Sequence, residues 1–189
     1  DDSHVVSVSV DRTVKLTEKA TQRFIDNVTS ITPGALKGGV NALARHPQSD
    51  VVLVGGADGE PKLYIIYRRT KRVIGDDANL MRKFPPIAGR INDVAISADG
   101  KFAAAVSSLE GQGYLKVYSL DVNPEIPEEI KVIQAKRVAN QSPEEKKKLE
   151  DFVSREVKAL GELSLPTNLY TVAFDANGSR FATAGSDGI

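Results

Sequence analysis

The stretch that decides the fold is INDVAISADGKFAAAV, residues 91–106. Apolar and polar residues alternate over 91–96, which is the pattern of a β-strand with one buried face. Asp99 and Gly100 follow, and these residue types tolerate the positive φ angles of a tight hairpin turn. A second apolar run begins at Phe102. The stretch therefore predicts two antiparallel strands joined by a short turn.

The same arrangement occurs twice more in the chain. VNALA at 40–44 lies 51 positions before INDVA, and LYTVA at 169–173 lies 78 positions after it. Each run leads through a polar turn into a second apolar strand. A pattern that recurs at matching offsets is the sequence signature of a repeat fold. Leu43, Val94 and Val172, which occupy equivalent positions, are predicted to face the core between repeats.

Further strands extend each repeat. Third strands are predicted at 13–16, 62–66 and 114–118, and more polar fourth strands at 22–25 and 80–84. Four short antiparallel strands, with the most polar one outermost, are typical of a blade of a β-propeller. We therefore predict an all-β fold of the propeller type.

These repeats resemble those of the WD40 family. The resemblance is carried by SADG at 97–100 and GSDG at 185–188, which are similar to two of the family's usual turns. The chain has no Trp, and Leu-Thr at 16–17 and Tyr-Ser at 118–119 stand where the family has Trp-Asp. The family's buried Asp–His–Ser–Trp hydrogen-bond set is therefore incomplete here.

A narrower similarity is carried by residues 14–17, 32–39 and 54–59, which look like bacterial WD40 proteins of the planctomycete type. The WD40 resemblance implies a non-catalytic scaffold that binds other proteins and needs no cofactor. Many of the planctomycete proteins accompany exported c-type cytochrome domains. The alternative is therefore an accessory or ligand-binding propeller domain of a larger exported redox protein, in an exported or periplasmic location.

The predicted strands do not close a ring. Three strands are predicted in 4–28, four in 39–84, four in 90–165 with an insertion at 121–160, and two in 168–189. This is about three blades, whereas propellers close with about 4–8. We expect the missing blades to come from a longer chain or from self-association. A monodisperse monomer of 20.4 kDa that unfolds cooperatively would contradict both expectations.

The insertion carries helical signals. SPEE at 142–145 is a capping box with Pro at the first helical position. Apolar residues follow at the three- and four-residue spacings of one helix face, namely Leu149, Phe152, Val153, Val157 and Leu160. We predict a helix over 142–160, between the third and fourth strands of its blade, and a returning outer strand at 161–165.

Residues 128–138 are predicted to form a second, shorter helix, and a strand at 130–133 is the alternative. The apolar face of the insertion is predicted to pack against the outer edge of a blade, with Lys146, Lys147 and Lys148 in solvent. The alternative is that this face docks a partner.

The composition excludes several classes of function. The 25 basic and 25 acidic residues give no net charge, which argues against nucleic-acid binding. The absence of Cys excludes disulfides, thiolate nucleophiles and Cys-ligated zinc. No apolar run approaches the ~18 residues of a membrane span. The sequence has no Gly-x-Ser-x-Gly elbow, no His-Glu-x-x-His motif and no EF-hand loop, so we predict no enzyme activity and no catalytic or metal-ligating residues.

One basic segment is a candidate binding site. Residues 62–83 contain seven basic and two acidic side chains. Arg68, Arg69, Lys71 and Arg72 form its centre and are predicted to bind an anionic ligand or an acidic partner. The alternative is an ordinary solvated loop. His46, which precedes a proline, is interpreted as a structural turn residue.

Overall fold

A computed structural model describes residues 2–30, 38–72, 75–120, 122, 125–155, 157 and 159–188. The fold is mostly β, with 43% strand and 13% helix. Part of the segment 32–39, which carries the narrower resemblance, lies outside the described residues, as do some positions at the borders of the insertion.

Four antiparallel sheets follow one another along the described chain. The first contains β1 (His4–Val8), β2 (Val14–Glu18) and β3 (Phe24–Asn27). The second contains β4 (Val40–Arg45), β5 (Val51–Gly56), β6 (Lys62–Ile65) and β7 (Leu80–Lys83). The third contains β8 (Arg90–Ile96), β9 (Phe102–Leu109), β10 (Gln112–Ser119) and β11 (Ala159–Leu165). The fourth contains β12 (Leu169–Phe174) and β13 (Phe181–Gly185).

The strands predicted at 40–44, 91–96 and 170–174 are confirmed as β4, β8 and β12. Within each sheet each strand pairs with the next one along the chain, and β10 and β11 are the pair separated by the insertion. The described residues do not form a closed ring. Membership of a complete propeller therefore stays a prediction.

Buried side chains form a core between each pair of successive sheets. Leu43 packs at the edge of the core between the first and second sheets. Val94 lies in the core between the second and third sheets, and Val172 in the core between the third and fourth. The predicted orientation of these three side chains is therefore confirmed. Burying one apolar side chain of this size stabilises a fold by about 1.5–3 kcal/mol.

Successive sheets are also joined by a repeated polar contact. A β-bulge occurs at the same place in β4, β8 and β12, at Asn41, Asn92 and Tyr170. The Asn41 side-chain amide donates to the Ile91 carbonyl oxygen at 3.0 Å, and Asn92 donates to the Leu169 carbonyl oxygen at 2.7 Å. A bulge turns its side chain out of the ladder, so each asparagine reaches the first residues of the next inner strand.

The insertion contains two helices, α1 (Glu128–Ala135) and α2 (Pro143–Val153). The predicted capping box is confirmed: Ser142 Oγ accepts from the Glu145 amide at 3.1 Å, and the Glu145 carboxylate accepts from the Ser142 amide at 2.9 Å. The helix at α1 is confirmed over a shorter length than predicted, and the strand alternative for 130–133 is wrong.

The predicted end of α2 at residue 160 is wrong. The helix ends at Val153, and Ala159–Leu165 forms β11 against β10. Leu160, predicted on the buried helix face, is 53% exposed on this strand. β11 pairs with β10 along its length except at Leu160, where the register shifts, and tertiary pairing of this kind outweighs a weak helical spacing.

The helices cover the second sheet, although they emerge from the third. Ile130, Phe152 and Val153 are buried in the same core as Tyr64 and Leu80. A helix that covers an edge strand protects it from pairing with other chains, and β7 is the edge strand covered here. The insertion therefore ties two sheets together, while its three consecutive lysines are exposed as predicted.

Candidate binding groove

The predicted basic site is divided by the fold. The Arg68 guanidinium donates to both carboxylate oxygens of Asp76, at 3.0 and 2.9 Å. Arg72 binds the Asp26 carboxylate and donates to the Asn27 carbonyl oxygen at 2.9 Å. Both guanidiniums therefore neutralise carboxylates of this chain. Arg72 joins the β6–β7 loop to β3, and so does Arg68 through its Nε, which lies 3.5 Å from the Asp26 carboxylate.

The other two predicted residues, Arg69 and Lys71, are exposed. Arg69 lines a cavity of about 350 Å³ together with Arg45 and Asp50. The four basic side chains are thus not gathered into one site, and their binding of an anion stays a prediction. The pairing with Asp26 has no local sequence signal, because that residue belongs to another sheet.

A cavity of about 500 Å³ lies between β7 and the two helices of the insertion. We call it the insertion groove. Its apolar lining consists of Ala78, Leu80, Pro86, Val138, Leu149 and Val153. Its charged lining consists of Asp58, Glu60, Lys62, Asp76, Asp77, Lys83, Lys146 and Glu150. This size and mixture are in the range of sites that bind a small molecule or a few side chains, about 300–1,000 Å³.

One end of the groove is acidic. The turn between β5 and β6 supplies Asp58 and Glu60, and both carboxylates contact the ammonium of the buried Lys62, with 3.0 Å from Lys62 Nζ to Glu60. Asp58 also accepts a hydrogen bond from the Glu60 amide at 3.2 Å, which is a contact typical of Asp in a turn. The turn thus places two carboxylates around one cation.

Asp76 and Asp77 are the other two carboxylates at this end, and Asp77 is the more unusual of them. Its oxygens accept from the Tyr64 hydroxyl at 3.2 Å and from the Ser30 amide at 3.0 Å. Burial raises the pKa of Asp77 from its ordinary 3.8 to about 6, although both hydrogen bonds act to lower it. Burial, with the charge of Asp77 nearby, also raises the pKa of Tyr64 well above its ordinary range.

The opposite end borders α2 and carries both signs of charge. Lys83 on β7 binds the Glu150 carboxylate at 2.7 Å, and Lys146 is exposed. Leu149 lies one helical turn after Lys146 and is partly buried against the core between the first and second sheets. The groove therefore changes from an acidic end to an end where apolar side chains lie beside charges of both signs.

The groove itself was missed by sequence reasoning, because its walls come from two different sheets. Its acidic turn and the Asp76–Asp77 pair were visible as sequence, but nothing placed α2 opposite them. Among the described residues, no group of three His, Asp or Glu side chains is arranged to hold a metal ion. None of the helices in the described part of the chain has the length and apolar character of a membrane span.

No protein-family model matches this chain, and no curated protein is similar enough to match it. Its function is therefore inferred from its own residues.

Proposed function

We propose that this chain is a non-catalytic scaffold of WD40-like blades that binds another protein, and that the insertion groove receives a segment of that partner. The observation that carries the proposal is the groove itself, an open cavity of about 500 Å³ walled by α2 and β7. The sequence has no Gly-x-Ser-x-Gly or His-Glu-x-x-His motif, which favours binding over catalysis.

The construction of the groove supports this proposal. The insertion interrupts the third sheet between β10 and β11, where a short turn would join the same strands. It buries one face on the second sheet and leaves the groove beside that contact. Binding residues are commonly carried by such insertions on a rigid scaffold.

A photo-reactive amino acid tests this proposal. We would replace Leu149, which lines the groove, with benzoyl-phenylalanine, and use Lys147, exposed on the same helix, as the matched position. We expect a protein to cross-link from position 149 and not from 147. The protein would then be identified, purified and titrated against the chain by calorimetry.

Binding of the purified partner should weaken at least tenfold in Leu149→Glu, because a carboxylate replaces an apolar contact. It should stay within twofold in Lys147→Glu. Circular dichroism would establish that Leu149→Glu folds, and Val138→Glu is the second variant if it does not. Equal cross-linking from both positions, or affinity unchanged in the groove variants, would overturn the proposal.

A further inference from the structure

We propose that the segment received by the insertion groove carries a Lys or Arg side chain beside an apolar one. The cation lies among Asp58, Glu60 and Asp77, and the apolar side chain lies on Leu80 and Leu149. This inference rests on the proposed function and adds the chemistry of the partner.

The charges at the acidic end are not balanced by the described part of the chain. Asp76 is matched by Arg68, which binds both of its oxygens. Asp58 and Glu60 share the single ammonium of Lys62. Asp77 accepts hydrogen bonds from two neutral donors, the Tyr64 hydroxyl and the Ser30 amide. This end of the groove therefore carries three carboxylates, Asp58, Glu60 and Asp77, and one cation, Lys62.

This imbalance selects the sign of the occupant. A neutral occupant would take water away from the carboxylates without replacing its hydrogen bonds, and such desolvation is costly. An anionic occupant would add repulsion at close range. An ammonium or guanidinium group restores the balance and supplies donors to the carboxylates.

The apolar side chain is selected by the neighbouring surface. Leu80 follows Asp77 in a turn closed by a 2.9 Å hydrogen bond from the Leu80 amide to the Asp77 carbonyl oxygen. The same turn thus presents a carboxylate and an apolar side chain to the groove. Leu149 and Val153 line the facing wall. A segment with adjacent apolar and basic side chains matches both surfaces at once.

Matched dipeptides test the chemistry on the full chain. We would titrate acetyl-Leu-Lys-amide, acetyl-Leu-Arg-amide, acetyl-Leu-norleucine-amide and acetyl-Leu-Glu-amide, and follow the amide resonances of Leu80, Leu149 and Val153 by NMR. We expect the two basic peptides to bind at least fivefold more tightly than the norleucine peptide, which has similar length without the charge. Equal or tighter binding of the norleucine or Glu peptide would overturn the inference.

A charge variant and a free amine complete the test. Glu60→Gln should weaken the Lys peptide about threefold to tenfold and leave the norleucine peptide within twofold. Glu144→Gln, which removes the same charge from an exposed position on α2, should change neither. If Glu144→Gln weakens the Lys peptide as much as Glu60→Gln, the inference is wrong. If hexylamine binds as tightly as the Lys peptide, the occupant is a small amine and the inference fails.

The cross-linked partner separates this inference from the proposed function. Its bound segment would be changed from Lys or Arg to Gln, and we expect at least a tenfold loss of affinity. A partner that binds the groove with unchanged affinity after this change overturns the inference and leaves the scaffold function standing. A partner that never contacts the groove overturns both.

Discussion

Both ring nitrogens of His46 bind backbone groups, and one of these contacts joins two sheets. Nδ1 accepts from the Gln48 amide at 3.1 Å, so Nε2 carries the proton that reaches the Gly100 carbonyl oxygen at 3.2 Å. Gly100 lies at φ +74°, and a Cβ added there would collide with the ring. The structural interpretation of His46 therefore agrees with its contacts, and the turn of one sheet rests on the turn of the next.

Gly100→Ala tests this contact. We expect it to lower the free energy of unfolding by about 2–4 kcal/mol, because the left-handed backbone and the lost space both oppose the added methyl group. Gly111→Ala is the matched control: its φ is +81°, and an added Cβ meets nothing within 4 Å. The control should cost only about 1–2 kcal/mol. Equal losses in urea denaturation would contradict the packing argument.

Asp77 makes stability depend on pH. Its pKa is about 6 in the folded chain and 3.8 ordinarily, because burial disfavours the charge. The folded state therefore binds the proton of Asp77 more tightly than the unfolded state does. The contribution of Asp77 to the free energy of unfolding rises as the pH falls from about 7.5 to 5. We expect this rise to be about 1–2 kcal/mol and to vanish in Asp77→Asn.

Chemical denaturation at several pH values measures this effect. Asp50→Asn, at an exposed turn position, is the control and should keep the pH dependence of the parent chain. A parallel pH profile in the parent and in Asp77→Asn would show that Asp77 is not the group responsible.

At the scale of elements, α2 owes its position to Phe152. This side chain is only 9% exposed, and the Arg155 guanidinium lies 3.4 Å above its ring centre. The guanidinium stabilises the helix end through a cation–π interaction with the ring. The ring itself stabilises the fold by filling the core. Removal of the ring therefore affects both the helix and the sheet that it covers.

Phe152→Ala should lower the free energy of unfolding by about 3 kcal/mol or more, because it opens a cavity beside Tyr64 and Leu80. Val132→Ala is the control on α1, where the side chain is 55% exposed, and should cost less than about 0.5 kcal/mol. Thermal and urea unfolding would measure both. A loss below about 1 kcal/mol in Phe152→Ala would mean that the helix is not held by this contact.

At the scale of the whole molecule, burial is greatest in the central sheets. Ala103, Ala104, Ala105 and Val106 of β9 are fully buried, whereas Phe181 at the start of β13 is 43% exposed. The third sheet has a core on both of its faces, and the fourth sheet packs on the third. Resistance to local opening should therefore fall from β9 to β13.

Hydrogen exchange tests this gradient and the role of the asparagine contacts. We expect the amides of β9 to exchange most slowly and those of β13 at least tenfold faster. Asn92→Ala removes the donor to the Leu169 carbonyl oxygen and should speed exchange in β12 and β13 while leaving β5 unchanged. Uniform acceleration across all sheets would indicate global destabilisation instead of a local link.

Strands, turns and the start of α2 could be predicted because their signals are local. Alternation at 91–96 and an Asp-Gly turn act within a few residues, and the Ser142–Glu145 box closes within one helical turn. The end of α2 could not be predicted in this way. Helical spacing continued to Leu160, but the edge of β10 offered the same residues a strand partner.

The sequence by itself thus determined the repeated β units, the turn residues and the nature of the insertion, since each depends on side-chain period and backbone preference. Only the tertiary structure decided which sheet the helices cover, which carboxylates neutralise Arg68 and Arg72, and where the insertion groove opens. Asp26 and Arg72 lie 46 positions apart, and Lys83 and Glu150 lie 67 apart. Contacts over such separations depend on how whole sheets pack, and no local pattern encodes them.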